Sequence, residues 1–245
     1  MRLAAALILL VTHLLVTHAA FAQDERRVAS PDGSIEFHLF INGQPESNLS
    51  RLAYQVRVKG KVLIDTSYLG LDIYEQEPLL GETVGLLSEA RTQGSDYQSF
   101  TGRYMQNGSL GRRLDVEVRV SNEGVAFRYV IGRAAGMERV FVADEATEFD
   151  LPHDPKADLQ LPFVTEQPGV GWVALAEVPL PGFPVMHLVR DEKILLTRLA
   201  RHGGLPDIVL DANPPVVCPW RLVLIGPDRQ SVLSSLTSAT RAWLR

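Results

Sequence analysis

Between Arg112 and Leu151 the apolar residues fall at every second position. Leu114, Val116, Val118 and Val120 alternate with Asp115, Glu117 and Arg119. After Ser121-Asn122-Glu123-Gly124, the same period returns in Val125, Phe127 and Tyr129. A period of two is the signature of a strand with one buried face, and a Gly in the connection supplies the positive φ that a tight turn needs. This stretch is therefore read as an antiparallel β-hairpin. It excludes a helix here and sets the pattern for the rest of the chain.

Short strand-like segments continue on both sides of it. They run over 34–40, 51–58, 61–65, 68–74, 97–105, 171–178, 193–198 and 216–225, with Gly, Pro, Asn and Asp between them. A single helix is expected after Asp228, which caps it, with Val232, Leu233, Leu236, Ala239 and Trp243 on one stripe. Many antiparallel strands and one late helix imply an all-β fold, a large β-sandwich with a C-terminal helix.

Residues 1–22 begin with Arg2, continue as an apolar run from Leu3 to Val16 and end in Ala20-Phe21-Ala22. That is the layout of a signal peptide, with cleavage expected after Ala22, so the chain is expected to be exported to the periplasm or beyond. The apolar run is too short for a membrane span. Residues 23–245 show no linker and no repeat and are read as one domain. Without Arg2 the formal charge moves from −5 to −6. A mildly acidic chain with no basic stripe is a poor match for nucleic acid. Cys218 is the single cysteine, so no internal disulfide is available and core packing must carry stability.

The wording of several segments resembles the N-terminal domain of glycoside hydrolase family 97. Ser30-Pro31-Asp32-Gly33 opens a strand as it does there, and Ser67-Tyr68-Leu69-Gly70-Leu71 is similar to a family segment. The Gly124–Tyr129 hairpin strand is followed by Glu145-Ala146-Thr147-Glu148-Phe149. Trp172 to Glu177, Phe183 to Leu188 and Cys218-Pro219-Trp220-Arg221 complete the series. The resemblance implies a β-super-sandwich of the galactose mutarotase-like type. In that family a (β/α)8 barrel with the active site follows. After Gly226 there is room for one helix, whereas a barrel takes roughly 200 residues or more, so no barrel and no catalysis are expected of this sequence.

No Gly-x-Ser-x-Gly elbow, phosphate loop, dinucleotide motif or His-Glu-x-x-His occurs. His38, His153, His187 and His202 are scattered, so isolated structural roles are favoured over a metal site or a mutarotase-like centre. Asp144, Glu145 and Glu148 form an acidic group, but a glycosidase pair needs carboxylates roughly 5–10 Å apart across a cleft, and spacing along one connecting segment does not show that. They are expected to form a solvated sheet edge or to accept turn hydrogen bonds. Glu177 carries the sharper hypothesis. The resemblance implies that it projects toward the barrel and helps bind calcium, and calcium needs roughly six to eight oxygens. No cofactor is therefore expected of the chain alone, and calcium only with a complementing barrel. The bland alternative is an exposed strand-end Glu, and substitution there is expected to leave folding intact. Trp220, set among Val216, Val217, Leu222 and Leu224, is expected in the core. The apolar stretch from Val178 to Phe183 is expected to form a patch for a partner.

The resulting expectation is a secreted, non-catalytic carbohydrate-related module that binds an α-linked glycan or supports a separate glycoside hydrolase barrel. The alternatives are an envelope protein–protein or structural module, or a truncated hydrolase remnant.

Overall fold

The computed structural model describes residues 23–43, 50–108, 111–134, 137–153, 158–201 and 207–243. The expected signal peptide (1–22) and His202 lie outside them.

Four strands open the chain as an antiparallel meander: β1 (Gln23–Ala29), β2 (Ile35–Gly43), β3 (Ser50–Val58) and β4 (Lys61–Tyr68). The β3–β4 turn is Lys59-Gly60, both at positive φ. Next come β5 (Leu71–Ile73), β6 (Val84–Gln93), β7 (Tyr97–Gln106) and the expected hairpin, β8 (Arg113–Ser121) and β9 (Gly124–Ile131). They are followed by β10 (Val140–Glu145), β11 (Glu148–Phe149), β12 (Phe163–Gln167), β13 (Gly171–Val178), β14 (Met186–Asp191) and β15 (Ile194–Leu199). The last elements are β16 (Leu210–Ala212), β17 (Val216–Val217), β18 (Trp220–Gly226) and helix α1 (Arg229–Trp243).

The large sheet has the order β12-β13-β18-β9-β8-β7-β6, with β17 added beside β9. Two three-stranded sheets, β16-β10-β5 and β11-β15-β14, accompany it and the first meander. The architecture is the expected antiparallel sandwich with a C-terminal helix. Its core is aromatic. Phe37 of β2 stacks on Tyr54 of β3 at 5.3 Å between ring centres, and Tyr54 meets Phe127 of β9 at 5.2 Å. Phe127 lies 6.4 Å from Phe149 of β11. These four rings are fully buried and join three sheets. Each contributes roughly 2–3 kcal/mol through burial.

The large sheet is buried on two faces over part of its width, which explains why β13 does not alternate. Val173 and Leu175 face the sandwich core, while Ala174 and Ala176 belong to a second cluster with Ala126, Leu222, Leu224 and Val232 of α1. Small side chains under the helix let it approach closely. Of the predicted stripe, Val232 is buried and Leu236 packs on this cluster; the side chains of Ala239 and Trp243 are not described. Trp220 is buried in the same layer, as expected, with the Arg119 and Arg128 guanidinium groups 4.9 and 4.4 Å from its ring.

Three expectations are corrected in detail. The segment 216–225 is two strands, separated at Cys218-Pro219, because proline has no N–H to give a ladder. The segment 68–74 divides likewise: Tyr68 ends β4, and Leu71 starts β5 in a different sheet. Strands β1, β6, β10, β11, β12, β14 and β16 went unread. β6 is an edge strand exposed along most of its length, so it has no apolar period to display.

Gly124 holds the hairpin turn at φ +150°, and a Cβ there would sit 2.3 Å from the Val223 carbonyl oxygen. Gly124→Ala is expected to cost about 1–3 kcal/mol in denaturant unfolding; an unchanged midpoint would show that this close approach is not required. Asp228 caps α1, accepting from the Ser231 amide at 2.8 Å and its hydroxyl at 3.0 Å, and these bonds hold its carboxyl below the ordinary range. A depressed carboxyl adds stability above its unfolded pKa and loses it as pH falls through the folded one. The acid limb of helix loss, read by circular dichroism below about pH 4, is expected to flatten in Asp228→Asn.

Candidate functional site

Glu177 lies at the penultimate position of β13, where the strand pairs with β18 and sets Glu177 opposite Arg221. Both side chains point into the sandwich, because Val173 and Leu175 on β13 and Val223 on β18 share their parity. Arg221 is 1% exposed. Its guanidinium makes a fork onto Glu145 of β10: Nε donates to Oε1 at 3.0 Å, and Nη2 donates to Oε2. The third nitrogen, Nη1, donates to Glu177 Oε2 at 2.5 Å. The other Glu177 oxygen accepts the Met186 amide at 3.1 Å.

The cluster continues through neutral donors. Thr147 Oγ1 donates to Glu145 Oε1 at 2.7 Å, the Tyr129 hydroxyl lies 2.6 Å from Thr147 Oγ1, and the Gly70 amide donates to Tyr129 at 3.3 Å. Burial alone would lower the Arg221 pKa, but the charge and hydrogen bonds of Glu145, with Glu177 behind them, raise it instead. Arg221 is thus a fixed cation. Burial also pushes the Cys218 thiol far up, with Glu145 adding to it, so this cysteine is an inert core side chain.

The structure places the sequence-predicted residues as follows. Glu177 is not an exposed strand-end carboxylate, since its side chain is only 5% exposed and both oxygens are engaged. Glu145 is not on a solvated edge either; it is fully buried because Arg221 compensates it. Asp144 and Glu148 follow the other expected reading. Asp144 Oδ1 accepts the Glu145 and Leu199 amides, each at 2.8 Å. Glu148 accepts the Tyr68 amide at 3.2 Å and faces Arg51 at 3.5 Å. His38 sits between Glu25 and Glu36 on the first meander, while His187 is exposed on β14 and His153 lies in a loop. They do not converge.

Calcium is the ion that the resemblance attaches to Glu177. The described residues do not fit it unaided, because a guanidinium already holds the carboxylate and no group of three or more His, Cys, Asp or Glu that could hold a metal occurs among them. Sequence reasoning named Arg221 only within the Cys218-Pro219-Trp220-Arg221 segment and missed its role. The available signal was a lone Arg in an otherwise apolar strand, Trp220 to Ile225, which demands a buried counter-charge.

Comparison with known proteins gives a consistent result. The family described as Glycosyl-hydrolase 97 N-terminal matches residues 28–160. A probable retaining alpha-galactosidase of Streptomyces bingchenggensis (strain BCW-1) is 26% identical over 263 residues, covering 93% of this chain and 39% of that protein. Among solved structures, a Glycoside Hydrolase Family 97 enzyme from Pseudoalteromonas sp. strain K8, in complex with panose, superposes with a TM-score of 0.71 at 17% identity. The superposition covers 85% of this chain and 36% of that one. A beta-arabinopyranosidase superposes with a TM-score of 0.67 at 19% identity, over 84% of this chain and 40% of that one. The chain thus spans well under half the length of these relatives.

Removing Arg221 leaves Glu145 buried without its counter-charge. Arg221→Ala is expected to cost about 3–5 kcal/mol, and Glu177→Gln about 1–2 kcal/mol, since a charged hydrogen bond becomes a neutral one. Thermal unfolding of both variants checks this order. A Glu177→Gln midpoint equal to that of the parent would free Glu177 for another role.

Proposed function

Because the chain belongs to the glycosyl-hydrolase 97 N-terminal family, we propose that it is an exported, non-catalytic module that binds a glycan or supports a separately encoded catalytic barrel. The observation that carries this reading is the locked state of its inward carboxylates. A general acid or nucleophile must reach substrate, whereas Glu145 and Glu177 are spent on Arg221 inside the protein. The layout of residues 1–22 supports export. The enzymes it resembles are named for alpha-galactoside and beta-arabinopyranoside, and one was solved with panose, which supports a glycan as the ligand class. No described helix is long and apolar enough to cross a membrane.

Support of a barrel draws on a specific surface. Leu180 is 37% exposed and Val185 is 57% exposed, and they flank the turn that returns the Met186 amide to Glu177. Phe183, by contrast, packs back on the core. Calcium at Glu177 would enter only with such a barrel, and Glu177 would then have to exchange the Arg221 or Met186 bond for the ion.

Titration calorimetry of the purified chain against α-gluco- and α-galacto-oligosaccharides, with and without calcium, is expected to show weak saturable binding that does not need the ion. Silence across the panel would overturn the glycan-binding form of the proposal and leave support of a partner.

A further inference from the structure

Strand β6 closes one side of the large sheet, and among the described residues no strand pairs with its outer edge. At the turn into β7, the Gly94 amide donates to the Tyr97 carbonyl at 2.9 Å. Hydrogen-bonded pairs alternate along an antiparallel ladder, and the register is unbroken from Gln93 opposite Gln98 to Ser88 opposite Arg103. Thr92 and Ala90 therefore bond to β7, whereas Gln93, Arg91 and Glu89 aim their N–H and C=O groups away from the sheet. Such a row is a template for another strand. Residues 44–49 and 109–110, outside the described set, join the chain at the Val84 end. There the Thr83 amide donates to the Ser50 carbonyl at 2.6 Å and the Asn107 amide to the Thr83 carbonyl at 2.8 Å. Glu89 lies six residues from Thr83, about 20 Å along the strand. Strand β1, the near edge of the first meander, packs over β7 and β8, back from the edge.

Proteins blunt such edges with bulges and with charges that repel an incoming strand. The bulge in β6 falls between Leu86 and Ser88 and leaves 88–93 regular. The charges on that stretch are of opposite sign. Glu89 and Arg91 share the core-facing side, opposite Gly102 and Phe100. The Arg91 guanidinium lies 5.2 Å from the Phe100 ring centre and donates to the Arg27 carbonyl at 2.9 Å, while Glu89 pairs with Arg26. Even so, the two side chains are 48% and 36% exposed for Arg91 and Glu89. Two copies of β6 meeting antiparallel about a twofold axis form an isologous contact. With Ala90 on the axis, each Glu89 faces Arg91 of the other copy, and both residues of that pair contribute edge-facing backbone groups. An axis at Glu89 or at Arg91 would instead set two like charges face to face, which destabilises a cross-strand pair. The sequence of this edge is thus complementary to itself in one alignment.

We propose that two copies of this chain associate edge to edge through β6, antiparallel about Ala90, into one continuous sheet with Glu89 of each copy paired to Arg91 of the other. The inference is independent of the glycan reading. Sedimentation equilibrium of the chain beginning at Gln23, which holds every described residue, is expected to show a monomer–dimer equilibrium. Arg91→Glu and Glu89→Arg each bring like charges together twice in the dimer, so each is expected to weaken association roughly tenfold or more. Mixing these two variants makes every facing pair opposite again and is expected to restore association as a heterodimer. The Glu89→Arg/Arg91→Glu double variant is expected to associate as the parent does. A parent that stays monomeric at millimolar concentration overturns the inference, and so do single variants that dimerise as tightly as the parent. If neither the mixture nor the double variant regains association, the Glu89–Arg91 alignment is wrong and the inference falls with it.

Discussion

A single guanidinium holds this sandwich at its centre. Arg221 of the large sheet reaches Glu145 on β10, which belongs to another sheet, and Glu177 on the neighbouring strand. One cation between two carboxylates leaves a formal negative charge in the core. Thr147, the Met186 amide and, through Thr147, Tyr129 supply the neutral donors around it. Taking such groups from water is expensive, and the arrangement holds because each of the four carboxylate oxygens accepts at least one hydrogen bond. The loop before β14 and the β10–β11 turn are tied to this network, so their positions follow from it.

The hairpin at β8–β9 was legible in the sequence, since β8 alternates along its whole length and β9 resumes the same period beyond the buried Ala126. The bounds of β13 were legible as well, because Pro168-Gly169 and Pro179 delimit it. Strand β6 was not, since an exposed edge strand has no apolar period to show. The central cluster was invisible for another reason. Arg221 stands 76 residues from Glu145 and 44 from Glu177. Spacing along the chain holds no trace of a contact that the sheet order creates. The acidic character of Asp144, Glu145 and Glu148 suggested solvent, and for Glu145 a distant cation reversed that.

The family resemblance drew attention to Glu177 as a calcium ligand, but the likeness of a strand does not carry over a ligand set. What a carboxylate can do is decided by what already holds it.

The two faces of β18 also make the sheet self-checking. Arg221 and Leu222 point to opposite sides, and the side beneath α1 is lined by Ala126, Ala174 and Ala176 with no carboxylate among that cluster. A slip of one residue in the pairing of β18 would send the guanidinium into this dry layer and abandon Glu145 on the other side. An apolar residue at 221 would pack in either register at little penalty. Arg221 therefore acts as a register key, making the misaligned sheet costly where a hydrophobic strand would tolerate it.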